Sequence, residues 1–209
     1  MEDGDFEVPD PPRIHKVACF LRKYYGSVKG TRVLECGVAR GGLADVLSKE
    51  GAHCLGLDIN SRNIPGVNCI RADLNYGFPT FDEPFNVIFA GELIEHLYDD
   101  LKFLKESYRN LYQGGLLIVT VPNLLFSINR FRMLFGLPPL FAYKTYHYHL
   151  YTKTIIKNII QGAGFNILKT SSSHILFSTR LNKVGRIFEI LGDIFPSIGA
   201  HIIIFAKKP

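Results

Sequence analysis

The chain has 209 residues, and its composition of 47% hydrophobic and 21% charged residues excludes a largely disordered protein. The formal net charge of +5 at pH 7 is spread along the chain, which favours an ordinary solvated surface over a footprint for nucleic acid. The length predicts one domain over residues 1–209, with a flexible tail at residues 1–12.

The first half of the chain alternates between helix-forming and strand-forming segments. Apolar residues at helical spacing predict an amphipathic helix over residues 12–25. Short apolar runs predict four strands, at residues 32–36, 54–57, 67–70 and 85–90. A further helix over residues 43–50 is predicted between the first two strands.

The second half continues this alternation. A helix that Gly114 and Gly115 end is predicted from four residues at helical spacing: Leu101, Leu104, Tyr108 and Leu111. Thr152 is suited to cap the next helix. Another helix is predicted through Val184, Ile187, Phe188 and Leu191. The remaining strands are predicted at residues 116–121, 165–170 and 200–206, so the whole pattern indicates an α/β fold with a parallel sheet.

Three features predict a cytoplasmic protein with reduced, buried thiols. The uncharged stretch at residues 111–129 is interrupted by Gly114, Gly115 and Pro122, so no membrane span is predicted there. Residues 1–12 are acidic and proline-rich, unlike a secretion signal. The four cysteines stand singly, without the spacing of a zinc site: Cys19, Cys36, Cys54 and Cys69.

The sharpest functional signal is the glycine-rich turn at residues 37–42, directly after the first strand. Its glycines let a ligand approach the backbone, and the next helix begins with free amide groups. Such a turn could hold the pyrophosphate of a dinucleotide. Glu35 favours S-adenosylmethionine instead, because a carboxylate repels pyrophosphate and attracts an ammonium and a sulfonium. An alternative stays open, in which Glu35 only caps the helix.

Two further carboxylates follow later strands. Asp58 comes 23 residues after Glu35, close to the ~20-residue offset at which an acidic residue meets ribose hydroxyls. Its alternative is that it only begins the turn after the second strand. Asp73 follows the third strand and would accept from an adenine amine if Asp58 holds the ribose. We therefore expect these carboxylates to line one crevice.

These residues resemble the class I S-adenosylmethionine-dependent methyltransferases, and most of all the small-molecule branch that includes quinone-biosynthesis O-methyltransferases. The resemblance is carried by residues 33–41, 57–59, 71–74, 85–97 and 116–122. Beyond residue 122, only the order of elements and the stretch at residues 149–165 are similar.

The resemblance implies a Rossmann-like three-layer α/β sandwich. Its sheet has seven mostly parallel strands, and the last strand is antiparallel and lies between the fifth and sixth. S-adenosyl-L-methionine is the implied cofactor, and its implied ligands are Glu35, Gly37, Ala39, Gly41, Asp58, Ile59, Asp73, Leu74 and Ala90. The chain departs from the family pattern at Ala39, which replaces the middle glycine of GxGxG and adds a methyl group where the backbone should approach the cofactor.

Methyl transfer is an in-line displacement that needs alignment and exclusion of water, and a base helps when the acceptor is a hydroxyl. The candidate bases are His147, His149 and, after the fourth strand, Glu92, Glu95 and His96. His149 is favoured, because the segment after the fifth strand forms part of the acceptor wall in the family. Alternatively, His147 and His149 lie on one solvent face of a strand. This pair could also chelate a metal, but no third ligand is indicated, and Glu92-x-x-Glu95-His96 is interpreted as a helix cap. No metal is expected.

Residues 124–150 are predicted to form a lid or substrate-binding insertion. The stretch at residues 124–143 is unusually apolar, and Arg130 and Arg132 could contact lipid headgroups at a membrane surface. Extra core packing is the alternative. We expect a small-molecule acceptor, apolar or aromatic if this segment covers it.

The segment after the fourth strand bears on other classes of acceptor. Residues 90–93 lack the Asn-Pro-Pro-aromatic platform that stacks a flipped base, so no nucleic-acid partner is expected. A protein acceptor stays open, and so does a non-catalytic subunit that binds S-adenosylmethionine without turnover. The sequence does not indicate the oligomeric state.

Overall fold

The computed structural model of the chain describes residues 11–39, 41–60, 62–140, 146–175 and 190–209. Its helices are α1 (Pro11–Tyr25), α2 (Leu43–Ser48), α3 (Asp100–Arg109), α4 (Ser127–Leu134) and α5 (Lys153–Gly162). Its strands are β1 (Arg32–Cys36), β2 (His53–Asp58), β3 (Asn68–Arg71), β4 (Phe85–Gly91), β5 (Leu111–Pro122), β6 (Asn166–Ser172) and β7 (His201–Lys207). Among the described residues, no helix has both the length and the apolar character needed to cross a membrane.

The seven strands form one sheet in the order β3-β2-β1-β4-β5-β7-β6. The pairs among β1 to β5 are parallel, whereas β7 runs antiparallel to both β5 and β6. The predicted seven-stranded topology, with an antiparallel last strand between the fifth and sixth, is confirmed. Because β1 to β4 are parallel, their ends meet at one border of the sheet, which we call the carboxyl edge.

Helices cover both faces of this sheet. Successive side chains of a strand point to opposite faces, so Val33 and Leu34 enter different apolar clusters. Leu34 packs in the cluster that includes Phe103 of α3 and Ile156 of α5. Val33 packs with residues of α1 and α2, among them Leu47. The three-layer arrangement follows from this alternation.

The helix predicted through Leu111 is shorter than expected. α3 begins after Asp99, whose side chain accepts a hydrogen bond from the amide of Lys102 at 2.8 Å, and it ends at Arg109. Leu111 already belongs to β5, where it pairs with Phe85. The prediction was wrong because an apolar residue at this position fits the helical spacing and the strand equally well, and the pairing with β4 decides.

Other predictions at this level have mixed outcomes. Thr152 caps α5, as predicted, and its hydroxyl accepts from the amide of Ile155. Cys36 and Cys54 are buried, and burial raises the pKa of the Cys54 thiol to about 12, but Cys19 is exposed. The tail at residues 1–10 and the predicted helix residues 184–188 lie outside the described residues.

Candidate functional site

The turn after β1 lies at the carboxyl edge and is tied to the end of β2. Cys36, the last residue of β1, pairs with Leu57 on one side and Ala90 on the other. The amides of Gly37 and Val38 both donate to the carbonyl of Leu57, at 2.8 and 3.2 Å. In open α/β sheets, ligands bind in the crevice beyond this edge.

The backbone of this turn is in the left-handed region at several positions. Gly37 and Gly41 have φ of 73° and 93°, values that glycine adopts without cost. Ala39 has φ of 47°, which costs a residue with a Cβ roughly 1–2 kcal/mol. The amide of Ala39 donates to the Asp58 carboxylate at 2.9 Å, and this bond helps to hold the strained conformation.

We expect Ala39→Gly to raise the free energy of unfolding by about 1 kcal/mol, because it removes the Cβ penalty at this φ. For a chain of this size, the melting temperature would rise by about 2–4 °C, which differential scanning calorimetry can measure. Ala18→Gly in the middle of α1 is the control, and it should lower stability by about 1 kcal/mol or more. A loss of stability in both variants would contradict the assignment of strain to Ala39.

Glu35 is turned toward the start of α2 and is only 3% exposed. Its carboxylate accepts from the amides of Leu43 and Ala44, at 3.2 and 2.6 Å. Burial raises the pKa of Glu35 to about 7, against the opposing effect of the two amide bonds and the nearby charge of Arg13. The geometry is therefore that of a helix cap, and direct contact between Glu35 and the cofactor stays a prediction.

This cap bears on which ligand the turn can hold. A pyrophosphate would need the first amides of α2, and Glu35 already occupies two of them. A Cβ placed on Gly42 would lie 2.5 Å from the nearer Glu35 oxygen, so the carboxylate fills the space beside the turn. A buried carboxylate there repels a second anion and attracts a cation. The site fits a positively charged nucleoside better than a dinucleotide.

Asp58 joins the first turn to the second. It is the last residue of β2 and is 7% exposed. One carboxylate oxygen accepts from Ala39, and the other accepts from the amide of Asn60 at 2.9 Å and lies 3.2 Å from Nε of Arg62. The turn-forming role that the sequence left open is therefore present. A carboxylate offers about four acceptor positions, so capacity remains for a ribose hydroxyl.

Asp73 lies next to this arrangement, because the amide of Ala72 donates to the carbonyl of Asp58 at 2.8 Å. One Asp73 oxygen accepts from both the backbone and the side-chain amide of Asn75. Ile59 is 55% exposed and open to a ligand, whereas the Leu74 side chain is buried in the core. Ala90 is buried within β4. The cofactor contacts of all four residues remain predictions.

His149 lies near the start of α3. Its Nδ1 is 3.9 Å from a carboxylate oxygen of Asp100, and the hydroxyl of Tyr151 donates to the same oxygen at 2.8 Å. Nε2 of His149 is buried and makes no hydrogen bond to the described residues. His149 borders a small cavity with Leu124 and Asn129, at the edge of the predicted insertion. Its role as a base stays a prediction.

The alternative of a strand with solvent-facing histidines is wrong. Residues 147–150 form neither strand nor helix. His147 and His149 are half-buried, whereas Tyr146 and Tyr148 are exposed. Exposed and half-buried residues do alternate here, but the imidazole rings are the half-buried ones and the tyrosine rings are exposed.

Glu92 belongs to a buried polar network that sequence reasoning missed. Its carboxylate accepts from the hydroxyl of Thr120 at 3.0 Å, and it lies 2.9 Å from Nη1 of Arg13 and 3.6 Å from Nε2 of His201. Glu92 also has a positive φ of 51°. The helix-cap interpretation of the Glu92 motif is wrong, since the turn at Ile94–His96 has no side-chain cap and α3 is capped by Asp99.

Comparison with known proteins shows the family to which the chain belongs. A model of the methyltransferase domain family matches residues 13–170. The chain belongs to this family. The methyltransferase chain is 32% identical to a probable S-adenosylmethionine-dependent methyltransferase of Mycolicibacterium smegmatis. This alignment of 100 residues covers 45% of the chain and 39% of the relative. It is also 32% identical to a ubiquinone biosynthesis O-methyltransferase of Bradyrhizobium diazoefficiens. That alignment of 126 residues covers 53% of the chain and 49% of the relative.

The methyltransferase chain therefore spans less than half the length of these curated relatives. Solved structures show the same fold. An S-adenosylmethionine-dependent methyltransferase from Mesorhizobium loti has a TM-score of 0.66 at 14% identity, over 93% of this chain and 99% of that one. Magnesium protoporphyrin IX methyltransferase from Synechocystis, with bound S-adenosylhomocysteine, has a TM-score of 0.65 at 16% identity, over 99% and 90%. The predicted family and fold are confirmed, and the cofactor named for these relatives is the one predicted for this chain.

Proposed function

We propose that this chain transfers a methyl group from S-adenosyl-L-methionine to a small apolar or aromatic acceptor. The observation that carries the proposal is the Glu35 carboxylate, which occupies the amides that a pyrophosphate would need and favours a cationic cofactor. The cofactor supplies a methyl group already activated by a positive sulfur. The chain then has to bind the acceptor, align it with the methyl group and exclude water from the site.

The cofactor side of the proposal uses the carboxyl edge. The turn at residues 37–41 would lie against the methionine part, Asp58 would accept from the ribose hydroxyls, and Asp73 would accept from the adenine amine. Support comes from the hydrogen bonds that link Asp58 to Ala39 and Ala72, which bring the three segments to one place. Glu35 would act through its charge from behind the turn.

The acceptor side of the proposal uses α4. Asn129 is fully buried and anchors the helix through bonds to the carbonyls of Asn123 and Leu124. The other side of α4 is apolar and open to solvent, with Phe131 65% and Leu134 78% exposed. Extra core packing would bury such residues. An exposed apolar helix surface of this kind is suited to contact an apolar acceptor, or a membrane surface in which such an acceptor is dissolved.

The activity is tested by incubating the purified chain with methyl-labelled S-adenosylmethionine and a cell extract, followed by mass identification of the labelled product. We expect label in a small organic-soluble molecule. Label that nuclease or protease removes would replace the small-molecule acceptor with a nucleic acid or a protein. Cofactor binding without any transferred label would favour the non-catalytic binding subunit.

The α4 surface can be tested without removing the helix. Deleting residues 126–139 would also remove the buried Phe126 and Asn129, so point variants are cleaner. We expect the double variant Phe131→Ser and Leu134→Ser to lower affinity for anionic lipid vesicles by roughly 10-fold or more, because each exposed apolar side chain is worth about 1–2 kcal/mol when buried.

Vesicle co-sedimentation measures this loss, and cofactor affinity should stay unchanged. Leu168→Ser, at a half-exposed position of β6, is the matched control and should bind vesicles as the unmodified chain does. Equal vesicle binding by all variants would remove the membrane contact from the proposal.

A further inference from the structure

Three potential metal ligands meet beside the end of β4. Glu95 and His96 belong to the 3₁₀ turn at Ile94–His96, and His147 comes from a segment far along the chain. One ligand atom from each of these side chains lies within 4.8 Å of the others. The amides of Tyr148 and His149 both donate to the carbonyl of Glu95, at 2.8 and 3.3 Å, which holds the His147 segment against the turn.

The orientation of His96 suits a metal ligand. Its Nδ1 lies 3.0 Å from the carbonyl oxygen of Tyr146, which can only accept, so Nδ1 carries the proton of the neutral ring. Nε2 then presents its lone pair, and it lies 3.9 Å from a carboxylate oxygen of Glu95. Metal-bound histidines usually donate their other nitrogen in this way, which fixes the tautomer and the ring.

Glu95 supplies the negative charge at this place. It is only 1% exposed, so a cation bound to its carboxylate would be held away from solvent. A divalent cation between the Nε2 lone pair and the carboxylate would be attracted by both groups. Glu92 is not part of this group, because its carboxylate pairs with Arg13.

We propose that Glu95, His96 and His147 bind one divalent transition-metal ion, with Zn²⁺ as the best match. Two imidazoles and one carboxylate form the ligand set of open zinc sites, in which a fourth position is left for water or another oxygen. Ligand atoms around a tetrahedral zinc lie roughly 3.4 Å apart, so binding needs these side chains to close by about 1 Å. The sequence indicates no third ligand for the pair of His147 and His149, whereas the turn after β4 supplies two ligands beside His147.

The test is a titration of the full chain, prepared without an affinity tag and freed of metal with a chelator. Co²⁺ reports coordination through its visible absorption, and Zn²⁺ should displace it. We expect one equivalent to bind. His96→Ala and His147→Ala should each weaken binding by roughly 100-fold, as expected for loss of one of three ligands. Circular dichroism checks that both variants fold. If His96→Ala does not fold, the metal affinity of His147→Ala decides the test alone.

Two controls separate this site from other histidines. His53→Ala, at the exposed start of β2, should bind metal like the unmodified chain. His149→Ala should also bind normally, because Nδ1 of His149 faces Asp100 rather than the group. The proposal is overturned if the unmodified chain binds no stoichiometric metal, if His147→Ala binds equally well, or if His149→Ala loses the ion while His96→Ala keeps it.

Discussion

Replacing Asp58 with alanine should weaken the binding of S-adenosylmethionine by roughly 10- to 150-fold. The estimate corresponds to about 1.5–3 kcal/mol for a hydrogen bond to a charged group, here between the carboxylate and the ribose hydroxyls. The same change removes the acceptor for the amide of Ala39, so the turn that should contact the methionine part also loses its anchor. Isothermal titration calorimetry with the cofactor measures the combined loss.

Two variants separate binding from folding in this experiment. Asp58→Asn keeps one carbonyl oxygen for the Ala39 amide, so it should preserve the turn while binding the ribose more weakly. Asp82→Ala removes an exposed carboxylate just before β4, at the opposite edge of the sheet, and should leave the affinity unchanged. If Asp58→Ala and Asp82→Ala bind the cofactor equally well, Asp58 only forms the turn and the ribose assignment fails.

The fold was predictable because its signals are local. The inner strands of the parallel sheet contain short apolar runs that are separated by turns or amphipathic helices, so neighbouring residues carry the information. Leu111 shows where this stops. Its spacing from Leu104 and Tyr108 suits a helix, and only its pairing with Phe85 in β4 makes it a strand residue. Local periodicity contains no information about a strand partner that is distant in the sequence.

The candidate site also has one part that the sequence predicts and another that only the fold brings together. Glu35, the glycine turn and Asp58 stand at the ends of consecutive strands, and the resemblance to the family marks them. The network of Arg13, Glu92 and His201 could not be predicted, because α1, the turn after β4 and the start of β7 meet only in the folded chain. The same holds for His147, which the sequence pairs with His149 and the fold brings to Glu95 and His96.

The affinity for S-adenosylmethionine should rise by up to about tenfold between about pH 6 and about pH 8, because Glu35 ionises in this interval. Its pKa of about 7 lies above the ordinary value of 4.5, chiefly through burial. Below pH 7 the protonated form is therefore favoured in the folded chain, and this carboxyl group lowers the free energy of unfolding as the pH rises from 4.5 to 7. The ionised form that appears above pH 7 attracts the positive sulfur of the cofactor.

Glu35→Gln keeps the size of the side chain and removes its titration, so its cofactor affinity should vary little over this range. Glu83→Gln, at an exposed position, should keep the pH dependence of the unmodified chain. S-adenosylhomocysteine provides a matched ligand, because it shares the adenosine and amino-acid parts and lacks the positive charge on sulfur, and its affinity should respond less to pH. If the unmodified chain binds both ligands with the same pH profile, Glu35 acts on α2 alone, and the preference for a cationic cofactor must come from Asp58 and Asp73.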